Sequence, residues 1–124
     1  MAKRVAILAQ DLIWSERLAR AVQAAGAEPA RAKTAPEFDR ALVCADLAIV
    51  DMTASAYDAL SAIERARSTG ARVVAVGQHD DIDMRKRALA RGAERVYAYR
   101  KLFEDGPATI SAWLSRSPAT GSAT

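Results

Sequence analysis

The stretch Leu47-Ala48-Ile49-Val50-Asp51 decides the fold, because it is a short apolar run closed by a carboxylate. A continuous apolar run of this length is typical of a strand that is buried on both faces of a parallel sheet. Open α/β sheets place their functional groups in the crevice beyond the carboxyl ends of the strands. Asp51 falls at that position, so it is the first residue to consider for function.

The length and composition indicate one globular domain. The chain has 124 residues, of which 51% are hydrophobic and 27% charged, and this is the balance of a folded chain. No apolar run approaches the ~20 residues that a membrane helix needs. The early run Val5-Ala6-Ile7-Leu8 is too short for the core of a signal peptide. We therefore expect a cytoplasmic protein with no membrane partner.

Charge and cysteine content exclude several kinds of site. Lys and Arg number 18 against 15 Asp and Glu, a net charge of +3, which permits an acidic partner without predicting nucleic acid. Cys44 is the only cysteine in the sequence, so an internal disulfide and a Cys-cluster metal site are both excluded. We expect Cys44 to be a small, half-buried apolar residue.

Strand-like and helix-like segments alternate along the chain. The patterns predict strands near residues 4–9, 28–33, 47–51, 72–77 and 95–99. A capping box at Thr34-Ala35-Pro36-Glu37 and a similar signal at Ser55-Ala56-Tyr57-Asp58 predict the starts of the second and third helices. Gly106-Pro107 predicts the start of the fifth helix, and Gly26 the end of the first.

Strands that are separated by helices run parallel and connect through right-handed crossovers. The expected fold is therefore α/β, a (βα)5 doubly wound parallel five-stranded sheet in the flavodoxin-like order 2-1-3-4-5. Residues 1–116 form this domain, and residues 117–124 are expected to be a flexible tail. In this order Asp51 lies beside the end of the first strand and Gln10.

At this point the chain resembles the receiver domain of bacterial response regulators, the CheY-like phosphoacceptor module of two-component signalling. Residues 47–51 resemble the strand that ends in the phosphorylated aspartate, and Asp51-x6-Asp58-Ala59-Leu60 resembles the family's D-x6-D-G-L. The run 73–81 resembles the fourth strand and its loop, and Arg91-Gly92-Ala93 resembles the Gly-Ala pair before strand 5. The resemblance implies a receiver fold over about residues 4–116.

The resemblance also implies a five-part phosphorylation site, most of which this sequence lacks. The acidic pair that holds Mg²⁺ falls on Ala9 and Gln10, and the phosphoacceptor falls on Asp51. The Ser/Thr that ends strand 4 falls on Gly77, and the Lys that ends strand 5 falls on Tyr99. The chain is thus similar to a degenerate pseudo-receiver, in which Asp51 is the one phosphotransfer residue retained.

Loss of these residues predicts loss of the chemistry. Mg²⁺ needs hard oxygen ligands, usually with one or two carboxylates among them, and phosphoryl transfer depends on positioning and on neutralised charge. We therefore expect no metal, no cofactor and no catalytic residue, so the chain is not predicted to be an enzyme. Asp11, Arg100 and Lys101 are possible contacts of the site, and a slip in register would bring them toward Asp51.

Three functions remain open from the sequence. The first is a stand-alone receiver-like signalling module that is not phosphorylated and acts by protein–protein interaction in two-component-type regulation. The second is an unorthodox phosphoacceptor that uses Asp51. The third is a small-ligand or nucleic-acid binder that uses the basic fourth helix. The charge balance disfavours nucleic acid among these partners.

The resemblance further implies that the fourth helix, fifth strand and fifth helix form the face that docks another protein or a second copy of the chain. Arg and Tyr side chains are favoured at the centres of interfaces. The candidates on this face are Arg85, Lys86, Arg87, Tyr97, Tyr99 and Arg100. Among the remaining residues, His79 is predicted to be a solvated loop residue, and Trp14 and Trp113 to be buried or half-buried.

Overall fold

A computed structural model describes residues 3–78 and 80–116 of the chain. The predictions for His79 and for the tail at 117–124 lie outside these residues. Strands and helices alternate in the order β1 (Arg4–Leu8), α1 (Leu12–Ala24), β2 (Glu28–Ala32), α2 (Ala35–Leu42), β3 (Leu47–Asp51), α3 (Ala59–Ser68), β4 (Arg72–Gly77), α4 (Ile82–Ala90), β5 (Arg95–Ala98) and α5 (Tyr99–Ser115). No described helix has the length and apolar character needed to cross a membrane.

All five strands are parallel and follow the order β2-β1-β3-β4-β5, so the predicted fold is confirmed. The central strand β3 places Ile49 opposite Ile7 of β1 and Val74 of β4. Every residue of β3 is buried, which explains its uninterrupted apolar sequence. Because β1 and β3 are neighbours, the chain beyond Leu8 and the chain beyond Asp51 meet at one edge of the sheet.

The sheet separates two apolar layers. One layer packs α1 and α5 on the sheet, and Trp113 is fully buried within it. The other layer packs α2, α3 and α4 on the opposite face around Phe38 and Ile63. A 124-residue chain with a core on both faces of its sheet buries about two-thirds of its unfolded surface. This packing fixes the positions of the strand ends.

The structure confirms some of the predicted helix ends. Thr34 caps α2, because its side chain accepts a hydrogen bond from the Glu37 amide, while the Glu37 carboxylate accepts one from the Lys33 amide. The Lys33 amide is the largest cause of a lowered pKa at Glu37. Gly26 follows α1 with φ of +88°, a conformation that glycine adopts without a steric penalty.

The predicted start of α3 at Ser55 is wrong. Asp58 is the N-cap instead, and its carboxylate accepts hydrogen bonds from the amides of Leu60 and Ser61. The amides of Ser55 and Ala56 donate to the side chain of Gln10, so this segment is a loop at the carboxyl end of the sheet.

The prediction for α5 is corrected as well. This helix begins at Tyr99, where the strand was expected to extend, and it continues through two helical segments joined at Asp105 (φ −148°, ψ 41°). Gly106-Pro107 therefore starts the second segment only. The first segment was missed because its helix-forming residues carry no start signal, although Leu102 anchors it in the core.

Cys44 is exposed rather than half-buried. It follows the end of α2 in the connection to β3, where the chain has left the core.

A largely buried ion pair between Arg72 and Glu94 lies at the end of the sheet opposite Asp51. Arg72 donates to both carboxylate oxygens of Glu94 at 2.8 and 3.0 Å and to the carbonyls of Arg116 and Trp113 at 2.8 and 3.3 Å. The Trp113 indole also donates to Glu94, at 3.2 Å. Burial opposes ionisation of Glu94, but hydrogen bonding to Arg72 and its charge hold the pKa of that carboxyl below its usual range. The pair ties β4 and β5 to the end of α5.

Candidate functional site at the carboxyl end of the sheet

Asp51 is the centre of the candidate site, and its side chain is bound by neighbouring protein groups. The residue is 1% exposed. Its Oδ1 atom accepts hydrogen bonds from the Thr53 amide at 3.0 Å, from the Thr53 hydroxyl at 2.9 Å and from the Tyr99 hydroxyl. A carboxylate removed from water needs such donors. The donors here are one backbone amide and two hydroxyls.

Thr53 was not identified from the sequence, although its position carried a signal. An Asp side chain commonly binds the amide two residues later in an Asx-turn, and Thr53 stands two residues after Asp51. The Thr53 and Tyr99 hydroxyl oxygens also contact each other, and because each hydroxyl carries one hydrogen, it donates either to Asp51 or across this contact. Asp51, Thr53 and Tyr99 thus form one closed cluster.

Tyr99 reaches this cluster because it begins α5 directly after β5. Its ring packs against Trp14 of α1, with ring centroids 4.5 Å apart and an angle of 44° between the planes. Burial is the main cause of a raised pKa at the Tyr99 phenol, and the hydrogen bond to Asp51 adds to it. Tyr99 therefore stays protonated and remains a hydrogen-bond donor to Asp51.

Tyr57 is a second phenol that the sequence reasoning missed. Its hydroxyl lies 2.7 Å from the Asp51 carbonyl oxygen and 3.2 Å from the Leu8 carbonyl oxygen. It therefore connects the ends of β3 and β1. Burial, followed by the charge of Asp51, raises the pKa of this phenol. The signal available was an aromatic residue inside the Asp51-x6-Asp58 segment.

The two positions of the expected acidic pair perform structural roles. Ala9 is fully buried beside the sheet. Gln10 holds the loop after β3, because its Oε1 atom accepts hydrogen bonds from the amides of Ser55 and Ala56 at 3.0 and 3.2 Å. The amide oxygen of Gln10 is therefore occupied by the protein itself.

Asp11 caps α1. Its Oδ1 atom accepts a hydrogen bond from the Trp14 amide at 3.0 Å. Asp11 also lines a cleft of about 350 Å³ together with Gln10, Asp51, Thr53 and Ala54. The structure thus brings Asp11 to the same cleft as Asp51 while its carboxylate is bound to the helix start.

Gly77 and Met52 occupy the position where the family resemblance implies a hydroxyl side chain. A Cβ atom added at Gly77 would lie 2.9 Å from the Met52 Cε atom. Met52 is buried and follows Asp51 in the chain. The end of the flexible Met52 side chain therefore lies where a Cβ atom at position 77 would be, and it would have to move for a Ser or Thr to fit.

The two basic residues expected near Asp51 lie elsewhere. Arg100 is exposed and its Nε atom lies 3.6 Å from Glu104 Oε1, and Lys101 is exposed on α5. Within residues 3–78 and 80–116, the hydrogen-bond donors to the Asp51 side chain are Thr53 and Tyr99.

The oxygen groups at the cleft are partly engaged by the protein. Asp51 and Asp11 are the carboxylates at the cleft, and both already accept hydrogen bonds from the protein, as does the neutral Gln10. Mg²⁺ requires near-octahedral oxygen ligands and usually binds through one or two carboxylates and waters, and the Oδ1 atoms of Asp51 and Asp11 are already engaged. Among the described residues there is also no group of three or more His, Cys, Asp or Glu side chains placed to hold a metal ion.

The residues expected at the partner face differ in how far they are exposed. Arg85, Lys86 and Arg87 are exposed on α4, and Tyr97 and Tyr99 are half-buried. Arg87 pairs with Asp83 on its own helix at 3.0 Å. Tyr99 is the member of this set that turns inward to Asp51, so it connects the face to the candidate site.

Solved structures similar to this one are receiver domains. A response regulator from Thermotoga maritima has a TM-score of 0.79 and 18% identity, over 94% of this chain and 100% of that chain. The BeF3-activated DrrB receiver domain has a TM-score of 0.81 and 14% identity, also over 94% and 100%. A response regulator from Burkholderia pseudomallei, with a phosphorylated aspartic acid and a calcium ion, has a TM-score of 0.70 and 16% identity, over 91% of this chain and 73% of that chain.

No protein-family model and no curated protein matches the sequence. The structural likeness confirms the predicted resemblance for the fold, which is that of response-regulator receiver domains.

Proposed function

We propose that this receiver-fold domain is a non-enzymatic signalling module that binds another protein and is not phosphorylated. The observation that carries the proposal is the hydrogen bond from Tyr99 to Asp51, made at the position where the family resemblance implies a lysine. A lysine there would add positive charge for an incoming phosphoryl group, whereas the phenol is neutral and already bound to the carboxylate.

The charge balance at Asp51 supports this proposal. Phosphoryl transfer is catalysed by positioning and by cations that neutralise the developing charge. In the described structure the Asp51 side chain is approached by an amide and two hydroxyls, all on Oδ1. Attack through Oδ2 would leave those bonds in place, but among the described residues no ammonium group binds the Asp51 carboxylate to neutralise an incoming phosphoryl group.

The alternative, an unorthodox phosphoacceptor, is favoured by one observation. The cleft of about 350 Å³ lined by Gln10, Asp11 and Asp51 gives access to the carboxylate region. This function would require Asp11 to release the Trp14 amide and turn toward a metal. The loss of that N-cap would cost α1 about 1 kcal/mol.

Beryllofluoride with Mg²⁺, which mimics an acyl phosphate, tests the two functions directly. In amide NMR spectra we expect no saturable shifts at Thr53, Ser55 and Ala56. A variant carrying Ala9→Asp, Gln10→Asp and Tyr99→Lys restores the acidic pair and the lysine, and serves as the positive control. Saturable shifts in the unaltered protein, or a stable acyl phosphate after treatment with acetyl phosphate, would establish the phosphoacceptor instead.

We further propose that the partner binds the face formed by α4, β5 and α5, as a different protein or as a second copy of the chain. The exposed cations of α4 and the half-buried Tyr97 support this choice. Analytical ultracentrifugation separates the two cases, because a second copy gives a concentration-dependent dimer whereas a different partner leaves the isolated chain monomeric.

A further inference from the structure

Positive charge is concentrated in one place on the partner face. Two adjoining clefts of about 530 and 360 Å³ lie between α4, β5 and α5. Both are lined by Arg95, Tyr97, Lys101 and Arg116, and the larger also by Arg85. We name these five residues and the two clefts the basic cleft.

Little negative charge opposes these cations. Glu94 lines the larger cleft, but Arg72 binds both of its carboxylate oxygens. Asp105 lines the smaller cleft, at the exposed junction within α5. Within residues 3–78 and 80–116, Arg85, Arg95 and Lys101 have no ion pair with a carboxylate. The basic cleft therefore has an excess of positive charge that the protein itself does not neutralise.

A buried hydroxyl in the smaller cleft is a second, independent observation. Thr109 lines this cleft and is 7% exposed, and its hydroxyl has no hydrogen-bond partner among the described residues. A helical Thr usually donates to the carbonyl four residues earlier, but that residue is Asp105, whose backbone is not helical. An unsatisfied buried hydroxyl is costly, and an acceptor oxygen entering the cleft would satisfy it once the side chain rotates between its staggered positions.

From these two observations we infer that the basic cleft binds an acidic segment of the partner protein, with carboxylates placed against Arg95, Lys101 and the Thr109 hydroxyl. This inference rests on the proposed function and adds the chemistry of the partner. Arg donates to carboxylates through two parallel N–H groups. Burial raises the pKa of Tyr97, so its phenol stays neutral and does not repel an acidic ligand.

The arrangement favours an acidic polypeptide over nucleic acid. Nucleic-acid binding depends on cations spread along a phosphate backbone. The row of cations along α4 and at Arg91, which directly follows the helix, is interrupted, because Arg87 pairs with Asp83 and Arg91 pairs with Glu64. Arg85, Arg95 and Lys101 line one cleft beside the aromatic side chain of Tyr97, an arrangement found at the centre of protein interfaces.

The probe is an oligo-glutamate peptide of about eight residues, titrated into the full chain at about 0.15 M salt, with oligo-glutamine as the neutral control. Amide NMR shifts should map to Arg95, Tyr97, Lys101 and Thr109. Replacing Arg95→Gln together with Lys101→Gln should weaken binding about tenfold, as expected for two partly screened ion pairs. Thr109→Val, which keeps the shape of the side chain, should weaken binding by a few-fold.

The matched control is Arg20→Gln with Lys33→Gln, which removes the same charge from exposed positions outside the cleft. Equal weakening by the two double variants would show non-specific attraction and would overturn the inference. Tighter binding of duplex DNA than of oligo-glutamate at the same residues would also overturn it, since the partner would then be nucleic acid. The beryllofluoride experiment does not involve the basic cleft. The peptide titration can therefore be interpreted even if that experiment shows that the proposed function is wrong.

Discussion

Replacing Tyr99 by Phe removes one hydroxyl from the Asp51 cluster and leaves the ring that packs against Trp14. A hydrogen bond to a charged group contributes about 1.5–3 kcal/mol. Asp51 keeps both donors from Thr53 in this variant, so we expect the lower part of that range, about 1.5–2 kcal/mol. For a domain of this length the loss corresponds to a fall in Tm of roughly 5–10 °C.

Urea and thermal unfolding of Tyr99→Phe measure this loss, and Tyr97→Phe is the matched control. Tyr97 is a half-buried phenol on the neighbouring strand whose hydroxyl makes no hydrogen bond within the described residues. We expect that control to change the free energy of unfolding by less than about 0.5 kcal/mol. A double-mutant cycle with Asp51→Asn isolates the pair, and a coupling of about 1 kcal/mol or more is expected.

Two results would count against this role of Tyr99: a free energy of unfolding of Tyr99→Phe within about 0.3 kcal/mol of that of the unaltered protein, or a cycle without coupling. Either result would mean that the hydroxyl of Tyr99 does not stabilise the Asp51 carboxylate in solution.

Three further predictions concern groups away from that hydrogen bond or the pH dependence of the fold. Arg72→Met should destabilise the fold by about 3–5 kcal/mol in urea unfolding, because it leaves the largely buried charge of Glu94 without its cation and with only the Trp113 indole as donor. The pKa of Glu94 is lowered in the folded state, so its contribution to stability is present above about pH 4.3 and is lost as the pH falls. The free energy of unfolding should therefore depend differently on acid pH in Arg72→Met and in the unaltered protein. Thr109→Val should raise the free energy of unfolding by about 1 kcal/mol, since it removes an unsatisfied buried hydroxyl. A loss of stability would instead show that the Thr109 hydroxyl makes a stabilising hydrogen bond. The pKa values of Tyr99 and Tyr57 are raised in the folded state, so above about pH 10 the unfolded chain releases protons that the native chain keeps, and stability should fall with rising pH, less steeply in Tyr99→Phe.

The sheet was predictable from the sequence because its central strands are buried on both faces. Burial enforces the continuous apolar runs at Leu47–Asp51 and Arg72–Gly77, and alternation with helices then restricts the connections. The position of Asp51 at the sheet edge followed from the same facts. Gly77 ends β4 as the sequence predicted, whereas Tyr99, expected to end β5, begins α5.

The contacts of the site were not predictable in the same way. The hydrogen bond between Asp51 and Tyr99 joins residues 48 positions apart, and it depends on α5 beginning at Tyr99 rather than at Gly106. The role of Tyr57 depends on a loop conformation that the amide-binding Gln10 imposes. Such side-chain contacts arise from rotamers and loop geometry that no periodic pattern encodes.

The side-chain amide of Gln10 has a consequence for how such a domain would be controlled. It fixes the loop after β3 through two backbone amides, and an uncharged amide neither titrates nor requires an ion. These two contacts therefore depend neither on the protonation of Gln10 nor on a bound ion. Under the proposed function the domain stores no record of past stimulation, and the fraction of partner that it occupies follows mass action.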